Sequence, residues 1–159
     1  MPTDAVDFTL RPYRASDFDR LWQIDQMCFP PGIAYSQMEL SGFIMRRNAI
    51  VIVAEFLAAV APDDPIAGYA IAQPYKKYGR IITLDILPEA RRYGLGSRLM
   101  SECEDRLRQR GCTEIYLEAA VDNHAALKLY HKLGYQTLRT LPEYYHAHRL
   151  DAFLLAKKL

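Results

Sequence analysis

The chain has 159 residues, 50% of them hydrophobic and 25% charged, a length and balance that suit one folded domain, residues 1–159, with a substantial core. Twenty Lys and Arg against 19 Asp and Glu leave a formal net charge of +1, so no overall basic footprint for nucleic acid is present. No apolar run nears the roughly 20 residues of a membrane span, and the first residues lack the basic-then-apolar start of a secretory signal.

The expectation is therefore a cytoplasmic protein with no membrane association. Cys28, Cys103 and Cys112 form no Cys-x-x-Cys pair and read as reduced, mostly structural thiols, and the four histidines have no ligand spacing, so no metal is expected.

In chain order, residues 6–10 alternate as a first strand. Ser16 is the N-cap candidate of a helix with Phe18, Leu21, Trp22 and Met27 on its apolar face. That helix should stop near Phe29-Pro30, because a residue before proline is pushed out of the α region. A second helix should start at Ser36, where Ser36-Gln37-Met38-Glu39 has capping-box spacing.

Strands at 50–56, 66–72 and 80–87, with a turn at 61–65 and Lys76-Lys77 in the next one, make an antiparallel meander. Leu95, Leu99, Cys103 and Leu107 recur at helical spacing up to Gly111. The strand at 113–117 follows a helical crossover and is expected parallel to the strand at 80–87. Asp122 or Asn123 caps a further helix that Gly134 stops, and strands near 135–139 and 150–155 close the order.

The most informative stretch is Ile81-Ile82-Thr83-Leu84-Asp85-Ile86-Leu87-Pro88-Glu89-Ala90-Arg91-Arg92-Tyr93-Gly94-Leu95-Gly96-Ser97. A strand passes through a short basic loop into a helix N-terminus, whose free amides and dipole suit a phosphate or pyrophosphate. Gly94 and Gly96 remove Cβ atoms where backbone must approach a ligand, and Arg91 and Arg92 add charge beside it. Taken alone, the segment reads nearly as well as a strand-to-helix turn with a solvated basic rim.

The Arg-x-x-Gly-x-Gly spacing resembles the acyl-CoA-binding motif of the GNAT superfamily of N-acetyltransferases. The segment Glu118-Ala119-Ala120-Val121-Asp122-Asn123 and the helix after it, with Tyr130, Gly134 and Tyr135, resemble that superfamily's second motif. Similarity is greatest to the ribosomal-protein N-terminal acetyltransferase (RimI) type.

The resemblance implies an α/β domain with a mixed, mostly antiparallel sheet of about seven strands and about four helices, splayed between the strands near Leu84 and Leu117. It implies acetyl-CoA as co-substrate, held by Leu84, Asp85, Ile86, Leu87, Arg91, Arg92, Tyr93, Gly94, Leu95, Gly96, Ser97, Asn123 and Tyr130. Glu118 is the implied general base and Tyr130 the implied general acid. Phe29, Pro30 and Tyr35, between the first two helices, and the pair Tyr144-Tyr145 are the implied acceptor-binding residues. Glu143 stands where the type usually has Asn.

The chemistry suits these residue types. An acceptor ammonium must lose a proton before it can attack a thioester, and a glutamate accepts that proton well only if part-buried or assisted by water. Asp85, in a strand where relatives carry small or apolar residues, reads either as an alternative base or as the partner of a nearby arginine.

The expected activity is direct acetyl transfer to a protein or peptide N-terminal α-amino group by a monomer or homodimer. The alternatives are transfer to a lysine, polyamine or other small amine, or acyl-CoA binding without transfer.

Overall fold

In the computed structural model, which describes residues 6–57 and 64–159, the elements run β1 (Phe8–Pro12), α1 (Phe18–Cys28), α2 (Gln37–Ile44), β2 (Ile50–Phe56), β3 (Ile66–Tyr75), β4 (Tyr78–Ile86), α3 (Leu95–Gln109), β5 (Glu114–Ala120), α4 (His124–Lys132), β6 (Gln136–Tyr145) and β7 (Leu150–Lys158). The strands form one sheet in the order β1-β2-β3-β4-β5-β7-β6. Every neighbouring pair is antiparallel except β4 and β5, which are parallel, as a crossover through α3 requires. Among the described residues no helix is long and apolar enough to cross a membrane.

Most expected boundaries agree with the structure to within a few residues. Ser36 caps α2, accepting the Glu39 amide at 3.1 Å while Glu39 returns a carboxylate to the Ser36 amide. Asn123, of the two candidates, caps α4 by accepting the Ala126 amide at 3.3 Å. The first three positions of the expected 61–65 turn lie outside the described residues.

Two expectations need correction. Ser16 is not a cap: it lies inside a 3-10 turn, Ala15–Asp17, that runs into α1. Asp17 supplies the local acceptor instead, taking the Arg14 amide at 2.8 Å while Arg11 grips both of its oxygens at 2.8 Å. The last two strands are also longer than expected. Pro142 does not interrupt β6, because β6 is an edge strand and two register shifts against β7 absorb the irregularity.

A bulge in β4 sets the geometry that matters for function. Ile71 pairs with Thr83 and Ala72 with Ile81, which leaves Ile82 as the extra residue. Such an insertion reverses which side chains face which side of the sheet. Gly79, before the bulge, lies against Leu107 of α3; Leu84 and Ile86, after it, also pack beside α3, around Gly96. Thr83 and Asp85 are thereby turned to the opposite side, where α1 packs on β3 and β4.

Candidate active site

β4 and β5 pair only over Tyr78↔Glu114, Gly79↔Ile115 and Arg80↔Tyr116. β5 then follows β7, with which all seven of its residues pair, while β4 stays with β3 as far as Ile86. Each strand keeps its longer antiparallel ladder and the short parallel one opens. The result is the expected splay, and it leaves the β5-facing edge of β4 without a strand partner beyond Arg80.

A cavity of about 820 Å³ fills this gap. Its walls include Arg80 to Leu84 of β4, Leu117 to Ala120 of β5, and Asn123, Ala126 and Tyr130 at α4. Phe29, Pro30, Tyr35, Tyr144 and Tyr145 line it too, so all five expected acceptor residues converge on one space. The segment between α1 and α2 touches the turn after β6: the His148 imidazole bonds the Pro31 carbonyl, and a Cβ on Gly32 would lie 2.7 Å from the Ala147 Cβ. Two distant pieces of chain thus meet over the cavity.

Glu118 and Tyr130 both line the same cavity. The Arg80 guanidinium donates to Glu118 at 3.1 Å and to the Tyr144 hydroxyl at 3.1 Å, bridging β4, β5 and the end of β6. Tyr130 is buried, with its ring edge-on to Tyr135 at 5.9 Å. Burial pushes its phenol well above the ordinary range, so it keeps its proton at neutral pH. Burial likewise pushes Tyr145 up to about 12.

The loop before α3 presents a second surface. Arg92 and Gly94 both have positive φ, +70° and +79°, and Arg91, Arg92, Tyr93 and Gly94 are exposed. No side chain caps α3, so its first amides, around Leu95, Gly96 and Ser97, are open to an anion. A Cβ added at Gly94 would meet nothing within 4 Å, so the space that a phosphate needs is present.

Not every residue of the motif faces that space. Gly96 also lies close under α4, since a Cβ there would lie 2.9 Å from the end of the Leu129 side chain. Leu95 and Leu87 bury their side chains, and the Leu87 amide is bonded to the Ala67 carbonyl at 3.0 Å. Arg91 bonds the Ile86 carbonyl at 3.0 Å and so braces the loop.

Among the described residues Asp85 has no arginine partner. Its side chain is fully buried on the α1 side of the sheet, beside Asp25 and Thr83. The bulge at Ile82 accounts for this, because without it Asp85 would face α3. Two further residues gain a place only in the fold: Arg80, as the partner of Glu118, and Asp25. The signal for Asp25 lay in helical spacing: Leu21, Ile24, Asp25 and Cys28 share one stripe, and a carboxylate on a buried stripe demands a partner.

Diverging parallel strands, an uncapped start of α3 after a loop with exposed arginines, and aromatic segments meeting over the β4–β5 gap are the features of the candidate site. Residues 18–135 match the acetyltransferase (GNAT) family, and the chain belongs to that family.

It is 28% identical to the N-alpha-acetyltransferase of Saccharolobus solfataricus, over 96% of this chain and 94% of the relative. The fold is similar to that of the ribosomal-protein-S18-alanine N-acetyltransferase from Escherichia coli, with a TM-score of 0.80 at 22% identity over 96% and 94% of the two chains. It is also similar to a chain of the NatC complex bound to Gag peptide and CoA, with a TM-score of 0.84 at 23% identity over 96% and 98%.

Proposed function

We propose that this acetyltransferase uses acetyl-CoA to acetylate the α-amino group of a protein or peptide N-terminus. The observation that carries the reading is the cavity at the β4–β5 splay, which joins Glu118 and Tyr130 to the acceptor residues from both ends of the chain. A relative that spans almost the whole chain bears the name N-alpha-acetyltransferase, which supports the same acceptor class.

In this proposal Arg92, Tyr93, Gly94 and the first amides of α3 hold the pyrophosphate of acetyl-CoA, while Arg91 braces their loop. Asn123 caps α4 and so places Tyr130. The unpaired edge of β4 from Leu84 to Ile86 offers backbone donors to the acyl carbonyl, and Leu87 anchors its end.

Bound acetyl-CoA supplies an activated acyl group. Glu118 accepts a proton from the acceptor ammonium, directly or through water, and the freed nitrogen forms the new C–N bond as the C–S bond breaks. Tyr130 gives its proton to the departing sulfur, and the second proton that the nitrogen sheds on becoming an amide returns through water to the Tyr130 phenolate. Phe29, Pro30, Tyr35, Tyr144 and Tyr145 surround the first residues of the acceptor.

The test is release of free CoA with short peptides, each supplied with a free and a blocked α-amino group. Release abolished by the block is the expected result. Release that survives the block would move the acceptor to lysine, and release only with polyamines or other small amines would reject a peptide acceptor. No release with any amine, despite measured acetyl-CoA binding, would point to a non-catalytic sensor.

A further inference from the structure

Asp25 of α1 and Asp85 of β4 are both fully buried, and among the described residues no cation bonds either of them. Asp25 Oδ2 accepts the Tyr35 amide at 2.7 Å, and Asp85 Oδ1 accepts the Thr83 hydroxyl. Asp25 Oδ1, Asp85 Oδ2 and the Tyr69 hydroxyl are buried with no other partner among the described residues, and the Asp85 carboxyl lies within hydrogen-bonding reach of both the Asp25 carboxyl and the Tyr69 hydroxyl. Two carboxylates cannot bond each other; a carboxylic acid and a carboxylate can, through one shared proton.

We propose that Asp25 and Asp85 share a single proton and act as a positioning pair, pinning the acceptor-binding segment between α1 and α2 to the bulged part of β4.

The contacts around the pair give the pin its purpose. Tyr35 is held at three points: its amide by Asp25, its carbonyl by the Trp22 indole at 3.0 Å and Gln26 at 2.7 Å, and its hydroxyl on the carbonyl of the bulged Ile82 at 3.3 Å. Thr83, which bonds Asp85, lines the cavity next to Ile82. The pair therefore joins an acceptor-side aromatic to the strand edge where acyl transfer is proposed. An aliphatic pair of the same size could fill the space, but it could not accept the Tyr35 amide and the Thr83 hydroxyl.

The ionisable groups facing the pair are Tyr69 of β3, Tyr35, Cys28 of α1, Glu39 of α2 and Tyr130 of α4. None of these side chains can carry a positive charge. Two guanidiniums lie beside these facing groups: that of Arg91, 3.9 Å from the Cys28 sulfur, and that of Arg80, which bonds Glu118 and acts on Tyr35. Burial, and for Asp85 also its neighbour Asp25, raises both carboxyls above their ordinary range. The folded chain consequently keeps a proton that the unfolded chain releases, so stability falls as pH rises above the usual carboxylate range of about 4.

The experiment has two arms. In the first, denaturant unfolding of the parent, Asp25→Asn and Asp85→Asn is followed from about pH 5 to pH 9. An asparagine amide replaces the shared proton with a permanent donor, so the parent's decline with pH should flatten in either variant. An unchanged decline in both would overturn proton sharing. This arm needs no acceptor and stands whatever the acceptor proves to be.

The second arm rests on the N-terminal acetylation reading and compares KM for peptide with KM for acetyl-CoA. Asp25→Ala should raise peptide KM about tenfold with acetyl-CoA KM nearly unchanged, and Asp25→Asn should recover most of the loss. Equal rises in both constants, or no recovery by asparagine, would overturn the positioning role. If Asp25→Ala does not fold, the same split measured in Asp25→Asn against Asp25→Leu decides it.

Discussion

Tyr130 combines two properties that a proton donor to sulfur needs. Its ring is buried against Tyr135, which keeps the phenol protonated, and the residue still lines the cavity. Removing the hydroxyl while keeping the ring separates chemistry from packing. Tyr130→Phe should lower kcat about 100-fold, the scale of a lost general acid, and leave the acetyl-CoA dissociation constant within about threefold. Stopped-flow turnover with calorimetric binding measures both, and parallel losses would make Tyr130 a packing residue. Glu118, by contrast, is held by Arg80, itself anchored to Tyr144, so the proposed base and the proposed acceptor wall are built as one unit.

At the level of elements, the loop into α3 illustrates how two glycines in one motif do different work. Gly94 has φ +79° and open space around it, whereas Gly96 lies under Leu129 of α4, the helix that also carries Tyr130. Gly94→Leu costs about 1 kcal/mol of backbone strain and fills the space assigned to pyrophosphate. The expected outcome is a loss of acetyl-CoA affinity of more than about tenfold, with the circular dichroism spectrum intact. Undiminished binding would place the pyrophosphate elsewhere. The β4 bulge is the other decisive element-scale feature, since one extra residue puts Asp85 on the α1 side while Leu84 and Ile86 stay with α3.

Across the whole molecule, two sets of buried carboxylates oppose one another in their response to pH. Arg11 on β1 grips Asp17 at the start of α1 and also bonds Glu55 on β2, tying three parts of the fold together. The Arg11 hydrogen bond, helped by the Arg14 amide, holds Asp17 below the usual carboxylate range. Its stabilisation is present above about pH 4 and is lost as pH falls through the lowered folded value. Asp25 and Asp85 have raised values, so their contribution runs the other way. Asp17→Asn should be less stable than the parent at neutral pH, with the gap closing in acid, as read by urea unfolding at pH 7 and pH 3. A gap that persists unchanged in acid would mean that the Asp17 charge is not what matters.

The strands, the helices, the Ser36 cap, a cap at Asp122 or Asn123 and both acetyltransferase motifs were legible in the sequence by itself. Periodicity, capping and turn chemistry act within a few residues of one another, and the motif spacing sits within single strand-loop-helix units. Only the tertiary structure decided that Arg80 meets Glu118, 38 positions away, that Gly96 lies under Leu129, and that Asp85 faces Asp25. These outcomes depend on where β4 parts from β5 and on which side of the sheet a bulge turns each side chain. Both follow from competition between long-range ladders, which no local stretch of sequence contains.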